Sequence, residues 1–485
     1  MKRRAFVSSA FAVLTAASLP WQRALAALDG SGNQVTLKPS DIDDLRTSIR
    51  GQLLIPGQNG YDAARHVWNG AFDKKPALIV RCAGAADVRD AIQFARSHNL
   101  LVAVRGGGHS LSGQSVCDGG IMIDLSPMQS VRVDPVAKRA CVDGGTLLGQ
   151  FDREAQAFGL ATTAGTVSHT GVGGLTLGGG FGRIGRRFGL ACDNLIGAEV
   201  ITADGSFVKA STQENQELLW GLRGGGGNFG VVTCFEYQLH PVTPTMVGGE
   251  LVFPFVKGRE LLRSFADFID GASDEMYADA MIVPTPNGRI LALDVCHSGT
   301  PAQAEKELAQ LRKIGKPLQD GLKSTTYVKL QSAADANYPH GRGYYIKSGF
   351  IHTIKPKVID TIVTYLDAGP MPTGIIGFVH QGGAIARVKP DATAFWNRNA
   401  NHSVIMIGFW DDKTAADANM KWVRAGWKSV EPLTDGFYVN ELAHDDPERR
   451  ICGTYGDNYP RLVALKKRYD PTNVLRLNAN IRPDA

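Results

Sequence analysis

Residues 165–182 read GTVSHTGVGGLTLGGGFG, a run with eight glycines and no charged side chain. Two more glycine blocks accompany it, RGGGHS at residues 105–110 and RGGGGNFG at residues 223–230. Each block borders apolar, strand-like sequence, and glycine lets a backbone approach a ligand closely because it has no side chain. The 56 glycines among 485 residues lack a Gly-X-Y period and the company of serine or proline. Collagen and flexible-linker classes are therefore excluded.

Net charge excludes a nucleic-acid partner. The formal charge is +5, and residues 1–26 contain Lys2, Arg3, Arg4 and Arg23 without an acidic residue, which leaves about +1 for the rest. Since no Lys/Arg run occurs beyond the N-terminus, a basic groove is not expected.

The N-terminus has the features of an export signal. Lys2-Arg3-Arg4 precedes an apolar stretch from Ala5 to Leu19, and Ala24-Leu25-Ala26 fits a small-x-small cleavage site. The paired arginines resemble a twin-arginine signal, which exports a protein already folded. We therefore expect a periplasmic or secreted protein, with residues 1–26 as signal peptide and no membrane span in the mature chain.

Cysteine and histidine spacing gives no metal motif. The seven cysteines include no CxxC, and the eleven histidines are scattered without a His/carboxylate cluster, so no metal is predicted. Most cysteines, such as Cys141 beside Val142, look like small buried apolar residues. Their pairing is left open.

Hydrophobic patterning predicts the order of elements. A polar helical lead-in over residues 41–59 precedes a β-α-β unit whose second strand, Leu100–Val104, runs into the first glycine block. The run at residues 165–182 is too glycine-rich for a core helix. Pro241 and Pro244 mark a domain boundary. The predicted domains span residues 41–240 and 245–435, followed by a C-terminal segment at 436–485.

The glycine blocks favour a nucleotide pyrophosphate held by backbone N–H groups. Gly178-Gly-Gly180-Phe-Gly182 has the wrong spacing for a Rossmann fingerprint, and no P-loop motif occurs. Tight turns alone would explain such runs equally well, so the flanking residues decide.

Those flanking residues resemble a known family. Arg105-Gly-Gly-Gly-His109-Ser110 and the 165–182 run are similar to the FAD-linked oxidases of the vanillyl-alcohol-oxidase class, nearest to the branch of berberine bridge enzyme, sugar oxidases and mitomycin radical oxidase. The family's C-terminal signature resembles Asn458-Tyr459-x-Arg461-Leu462, Tyr469-Asp470-Pro471-x-Asn473 and Asn478-Ala-Asn480-Ile481. The resemblance implies an α+β fold with a two-subdomain FAD-binding domain of the PCMH type at 41–240 and a substrate-binding domain at 245–435 whose antiparallel sheet is covered by helices. It also implies that the C-terminal segment at 436–485 returns to the FAD-binding domain.

The resemblance also implies that His109 bonds covalently to the 8-methyl carbon of FAD. Some family members have a second link through a cysteine; Val167 stands at that position here, so a single link is predicted. The other predicted FAD-binding residues are Arg105, Gly106, Gly107, Gly108, Ser110, Gly165, Thr170, Gly171, Gly174, Gly179, Gly182, Val232, Asn440, Asn473 and Asn480.

The family's catalytic residues match this sequence less closely than its FAD-binding residues do. Family members often have a tyrosine base at the end of a Y-x-N-Y segment on the last strand of the substrate sheet, where this chain has Tyr438-Val-Asn440-Glu441. A buried Glu441 could serve as the base, and a solvated glutamate at a strand end is the equal alternative. Tyr438 and Asn440 would share a face of that strand.

Further candidates lie elsewhere in the chain. Tyr345 is the third predicted catalytic residue, and Lys347 and Gln381 are additional candidates. His169 is a candidate for a polar contact with the flavin, and Arg186-Arg187 is read as a solvated surface pair.

These observations predict an exported FAD-dependent oxidase. It would take a hydride from an alcohol, with a sugar as one option, and dioxygen would reoxidise the flavin to give hydrogen peroxide. The expected partners are thus a small-molecule substrate and O2. Amine oxidation, oxidative cyclisation of a natural product, or sequestration of a toxic compound are the alternatives.

Overall fold

The computed structural model describes residues 24–484, so the predicted signal segment up to residue 23 lies outside the described residues. The first half of the chain alternates short strands and helices. In chain order these are β1 (Leu25–Leu28), β2 (Gln34–Leu37), α1 (Pro39–Ser48), β3 (Gln52–Leu54), α2 (Tyr61–Arg65), β4 (Leu78–Arg81), α3 (Ala85–Ser97), β5 (Val102–Arg105), β6 (Ile121–Asp124), β7 (Val131–Asp134), β8 (Arg139–Asp143), α4 (Leu148–Gln156), β9 (Leu160–Ala161), α5 (Val172–Leu177), α6 (Gly185–Phe188), β10 (Leu195–Ile201), β11 (Phe207–Ser211), α7 (Gln216–Leu222), β12 (Val231–Gln238) and β13 (His240–Pro241).

The second half has longer strands. Its elements are β14 (Thr245–Pro254), α8 (Gly258–Asp270), β15 (Met276–Thr285), β16 (Gly288–His297), α9 (Pro301–Leu311), β17 (Gln319–Asp320), β18 (Lys323–Thr326), α10 (Tyr327–Gln331), β19 (Gly343–Ile351), α11 (Pro356–Asp367), β20 (Gly374–His380), α12 (Ala384–Arg387), β21 (His402–Trp410), α13 (Ala416–Val430), α14 (Glu448–Tyr455) and α15 (Tyr459–Tyr469). Among the described residues, no helix combines the length and apolarity that a membrane crossing needs.

A four-stranded sheet, in the order β3-β4-β6-β5, begins the fold. β6 pairs in parallel with both β4 and β5, and α3 makes the crossover that parallel strands require. The predicted lead-in helix over residues 41–59 was too long: α1 ends at Ser48 and β3 follows, because the apolar pair Leu53–Leu54 is buried as strand. β5 delivers the first glycine block at the edge of this sheet.

A five-stranded antiparallel sheet, in the order β11-β10-β12-β8-β7, follows. Between β9 and β10 the glycine run forms a short helix, α5, which corrects the expectation that this run contains no core helix. Val172 and Thr176 bury one face of α5 among glycines, so close backbone packing replaces the usual large side chains.

An eight-stranded antiparallel sheet forms the second half, with the order β17-β14-β16-β15-β20-β21-β19 and β18 paired to β14. Successive side chains of a strand point to opposite faces. One face packs under α8, α11 and α13, with Tyr345, Val404 and Met406 in that core. The other face carries Tyr344, Ile346, Ile405 and Ile407 in a smaller cluster together with Trp68 of the first half.

The C-terminal segment returns to the first half through a buried ion pair. Lys466 and Asp470 are both fully buried, and Lys466 Nζ donates to Asp470 Oδ2 at 2.7 Å. The same ammonium donates to the carbonyls of Asn228 and Leu475. Asp470 in turn accepts the Leu475 amide. This network ties α15 to the third glycine block and to the chain after residue 470.

Replacing Lys466 with methionine is expected to lower the free energy of unfolding by about 3–5 kcal/mol, because Asp470 would remain buried without its counter-charge. Denaturant unfolding of the purified protein measures the change. Lys467→Met is the matched control, since Lys467 is exposed on the same helix, and it should change stability by less than about 0.5 kcal/mol. Equal effects of the two changes would contradict the prediction.

The burial of one cysteine, Cys141, differs from the prediction. The seven cysteines all lie within the described residues and are free thiols. Cys141 is only partly buried, and its Sγ lies 3.4 Å from Sγ of Cys234 on the neighbouring strand. The description of Cys141 as a small buried apolar residue was therefore wrong.

Candidate active site

A cavity of about 450 Å³ lies where the two halves meet. Its walls come from all three glycine blocks, from β19 and β21, and from residues 438–441 and 475–479. Of the predicted FAD-binding residues, those that line it are Gly106, Gly107, Gly108, His109, Ser110, Thr170, Gly171, Gly174, Val232 and Asn440.

Six predicted FAD-binding residues lie outside these walls: Arg105, Gly165, Gly179, Gly182, Asn473 and Asn480. Gly165 bridges Gly182, so these two shape the glycine run itself. Gly179 packs against Phe395 and Tyr438. Asn473 takes a left-handed backbone conformation (φ +53°) just after α15. Gly165, Gly179 and Gly182 therefore support the glycine run and do not form the cavity surface.

Arg105 belongs to this supporting group. Its guanidinium donates to the Ala64 carbonyl and lies 3.9 Å from Asp124. A Cβ at Gly108 would come within 3.1 Å of Arg105 Nε, so the side chain of Arg105 packs against the first glycine block.

The glycines leave room for a flat ligand. A Cβ at Gly107 would come within 2.4 Å of the backbone of Gly171, so two glycine blocks pack directly on one another. A Cβ at Gly174 would meet no atom within 4 Å and would project into the cavity. The side-chain Oδ1 of Asn478, which lines the cavity, is a buried acceptor with no hydrogen-bond partner among the described residues. The site therefore fits a nucleotide cofactor with polar groups of its own.

His109 lies at the tip of the first glycine block, in a fixed orientation. Its Nε2 is 2.8 Å from Nδ1 of His169. The indole of Trp68 stacks on its ring at 4.2 Å, and Tyr344 stacks on the other side of Trp68 at 4.0 Å. Burial, helped by His169 and His340, holds the pKa of the His109 imidazole well below its usual value. His109 is therefore neutral and keeps a lone pair for bonding.

Three of the histidines lie close together in the structure, although their positions in the sequence suggested that the histidines are scattered. His109, His169 and His340 bring one ring nitrogen each within 4.8 Å of one another, although 60 or more residues separate His109 from either partner. Such a trio has the donor set of a metal site, which no spacing rule in the sequence could show. His109 and His169 already share a hydrogen bond, so the trio acts here as a polar cluster beside the cavity.

Residues 438–441 form a 3-10 turn rather than the predicted strand, since Val439–Glu441 is helical. Tyr438 and Asn440 still meet, because Asn440 Nδ2 donates to the Tyr438 hydroxyl at 2.9 Å. The Gly180 amide donates to the same hydroxyl at 3.0 Å. With its oxygen accepting two N–H groups, Tyr438 positions the turn against the glycine run, and it lines the cavity with Asn440 and Glu441.

Glu441 has the environment of a general base. It faces the cavity, and its Oε2 is buried without a hydrogen-bond partner among the described residues. Burial raises the pKa of its carboxyl to about 7, and a hydrogen bond from Ser348 opposes that shift only in part. A carboxylate with a pKa near neutrality can take a proton and release it again. The burial of this carboxyl contradicts the alternative of a solvated glutamate at a strand end.

Tyr345, Lys347 and Gln381 lie away from the cavity. Tyr345 and Lys347 point from β19 into the opposite face, where both hold Asp445: the Tyr345 hydroxyl at 3.0 Å and Lys347 Nζ at 3.1 Å. Gln381 is buried and donates to Ser403. The neighbours Tyr344 and Ile346 line the cavity instead. Strand alternation explains the error, because a shift of one residue changes the face.

Arg186 is not a solvated surface residue. It is 8% exposed and donates to the carbonyls of Gln381, Ala272 and Ser273. Arg187 donates to the Ser298 carbonyl at 2.7 Å. Both arginines therefore join the glycine half to the eight-stranded sheet.

Several cavity residues have no counterpart among the predicted ones. The aromatic and aliphatic ones are Trp68, Tyr338, Tyr344, Ile346, Ile405 and Ile407. For the four residues on β19 and β21, the only signal in the sequence was the period-2 alternation of these strands, which does not say which face meets a ligand. Trp68 and Tyr338 lie in loops, and no signal in the sequence pointed to them. The resulting wall is apolar, and it reaches His109 through the stacked rings of Tyr344 and Trp68.

Comparison with known proteins identifies the cofactor. A family model described as FAD binding domain matches residues 76–211, and one described as berberine and berberine like matches residues 438–482. An FAD-linked oxidoreductase of Dictyostelium discoideum is 32% identical over 445 residues, which cover 91% of this chain and 97% of that protein. The chain belongs to this family of FAD-linked oxidoreductases.

Two further relatives are similar to this chain over most of its length. The (R)-6-hydroxynicotine oxidase of Paenarthrobacter nicotinovorans is 31% identical over 456 residues, covering 90% of this chain and 98% of that protein. The crystal structure of 6-hydroxy-D-nicotine oxidase from Arthrobacter nicotinovorans has a TM-score of 0.83 at 30% identity, covering 90% of this chain and 98% of that one.

The family assignment confirms the predicted α+β fold of a PCMH-type FAD oxidase and the predicted FAD cofactor. The chain is an oxidoreductase of the oxidase type that uses FAD. Within the cavity, the three glycine blocks would hold the cofactor through backbone N–H groups, with Asn478 as a buried acceptor.

Proposed function

We propose that this protein is an exported oxidase that carries FAD on a single covalent bond to His109 and removes a hydride from a C–H bond bearing oxygen or nitrogen. The observation that supports it is that one cavity holds both His109 and Glu441, whose Oε2 has no hydrogen-bond partner among the described residues. A cofactor anchor and a base are the two protein groups that this oxidation requires.

The surroundings of His109 support the covalent bond. The imidazole is neutral, its ring is clamped by Trp68, and its Nε2 is engaged by His169, so Nδ1 is the nitrogen we assign to the flavin. Val167 lines the cavity at the position where a second link would need a thiol. A single link follows.

FAD would supply, when bound, an acceptor for a hydride, that is, for two electrons and one proton. The protein's own task is to take the proton. Glu441 accepts the O–H or N–H proton of the substrate on its free Oε2, while Tyr438 and Asn440 hold the turn that carries it. The wall of Trp68, Tyr344 and the isoleucines excludes water from the reacting carbon. Reoxidation by O2 would release hydrogen peroxide.

The pH dependence of flavin reduction tests this assignment. Because the carboxylate form of Glu441 is the active one and its pKa lies at about 7, the rate should rise about tenfold per pH unit below that value and level off above it. Stopped-flow bleaching of the flavin absorbance under anaerobic conditions measures this rate. A rate independent of pH between 5 and 8 would argue against Glu441.

An apolar substrate ring, as in a cyclic amine or a natural product, is a second candidate beside an alcohol or sugar. Ile346, Ile405 and Ile407 present no polar atom, and each sugar hydroxyl buried there would lack a hydrogen-bond partner. The hydroxynicotine oxidases among its relatives are consistent with an amine. Anaerobic bleaching with panels of alcohols, sugars and cyclic amines decides between them. Tight binding without bleaching would instead indicate sequestration.

Export is proposed from the sequence of residues 1–26. Lys2-Arg3-Arg4, the apolar stretch and the small-x-small site support it. Leu25 and Ala26 are the first two residues of β1, where Leu25 pairs with Leu37 and Ala26 pairs with Thr36. Cleavage after Ala26 would therefore shorten that strand by two residues. Cell fractionation of the wild type and of the Arg3→Lys, Arg4→Lys double variant tests export; retention of both in the cytoplasm would contradict it.

A further inference from the structure

We propose that His169 is a positioning residue that holds His109 in the tautomer from which FAD is attached. The inference rests on the proposed covalent bond and assigns to this chain a residue that prepares it. Among the described residues, the ring of His109 makes one hydrogen bond, between its Nε2 and Nδ1 of His169 at 2.8 Å. The ring planes are tilted by 44°, which keeps His169 at the edge of His109 rather than on its face.

A neutral imidazole has one N–H and one lone pair, and the hydrogen bond decides where each lies. With His109 as donor, the proton is on Nε2 and Nδ1 keeps the lone pair that can attack carbon. With the opposite tautomer, Nδ1 would carry the proton and could not form the bond. We therefore assign the acceptor role to His169 Nδ1, which favours the form of His109 that has its lone pair on Nδ1.

The segment that carries His169 is itself held in place. The backbone N–H and the hydroxyl of the preceding Ser168 donate to the two carboxylate oxygens of Asp335, at 2.8 and 2.5 Å. The Gly149 amide donates to the Ser168 carbonyl, and the Leu148 amide to that of Thr170. His169 is thus fixed from both sides, and it can impose an orientation on His109.

The attachment balances with dioxygen as the oxidant. The Nδ1–C bond forms as one hydrogen leaves the 8-methyl group as a proton, and the carbon centre gives up two electrons. Nε2 then releases its proton to His169, which restores a neutral, alkylated imidazole. Dioxygen takes the two electrons and, in net terms, the two protons as hydrogen peroxide.

The test measures attachment rather than activity. The full-length wild type and the variants His169→Leu, His169→Asn and His340→Gln are incubated with FAD. Acid-quenched samples are then scored for protein-bound flavin by in-gel fluorescence and intact mass. Rates are taken per FAD bound before quenching, so a variant with weaker binding is still informative. His340→Gln is the matched control. His340 belongs to the same histidine cluster, but the hydrogen bond to His109 described above is made by His169.

Removing the acceptor in His169→Leu should slow attachment about tenfold or more, since a lost buried hydrogen bond is worth 1–3 kcal/mol. His169→Asn restores an acceptor oxygen at similar reach and should stay within about threefold of the wild type. Attachment in His169→Leu at the wild-type rate, or equal slowing in the leucine and asparagine variants, would overturn the inference. Absence of covalent flavin in the wild type would instead overturn the proposed bond itself.

Discussion

Replacing Glu441 with glutamine is expected to lower the rate of flavin reduction by about 10²-fold or more, because general-base catalysis contributes that much and an amide cannot accept the proton. Glutamine has nearly the same shape, so FAD should remain bound. Anaerobic stopped-flow absorbance gives the rate directly, and the rise of the rate with pH through about 7, where the pKa of Glu441 lies, should disappear in the variant.

Glu448→Gln is the control for this change. Glu448 is exposed and pairs with Arg482 at 3.2 Å on the surface, so its loss should leave flavin reduction unchanged. Wild-type rates in Glu441→Gln, or an equal loss in both variants, would show that another group takes the proton.

Replacing His109 with alanine is expected to abolish covalent flavin completely. No other residue of the cavity wall combines a neutral ring nitrogen with the position at the tip of the first glycine block. FAD would then be held only by the glycine blocks and would dissociate on dilution, since the tether no longer maintains a high local concentration. Acid precipitation followed by absorbance of pellet and supernatant separates bound from released flavin.

His352→Ala serves as its control, because His352 is an exposed histidine that contacts only the Asn399 carbonyl among the described hydrogen bonds. It should keep all of its covalent flavin. Flavin that stays with the pellet in His109→Ala would place the link on another residue.

The fold and the cofactor could be predicted because each glycine block is a short, continuous motif in the sequence. Gly106, Gly107 and Gly174 mark the cavity surface, and their role could be inferred from the letters beside them. Glu441 could also be found, since it sits in the family's C-terminal motif. The structure adds what the motif lacked, namely a buried and unpartnered carboxylate oxygen.

Long-range geometry set the limit of prediction. Tyr345 and Tyr344 are neighbours, and only the register of β19 against β21 decides that Tyr344 faces the cavity. His169 and His340 approach His109 through folding alone, and Trp68 reaches it from a loop 41 residues upstream. Arg186 looked solvated because the surface that covers it begins about 86 residues later in the chain.

The cavity walls include Tyr438 to Glu441 and Leu475 to Ala479, from the last tenth of the chain. Until these residues have been synthesised, the FAD cavity therefore lacks part of its wall. Domains fold in order of synthesis, and the cavity walls from the C-terminal end can close only after that part of the chain has been made and Lys466 has bonded to the carbonyls of Asn228 and Leu475. A chain shortened by about fifty residues would lack both wall segments, and we expect it to bind FAD weakly.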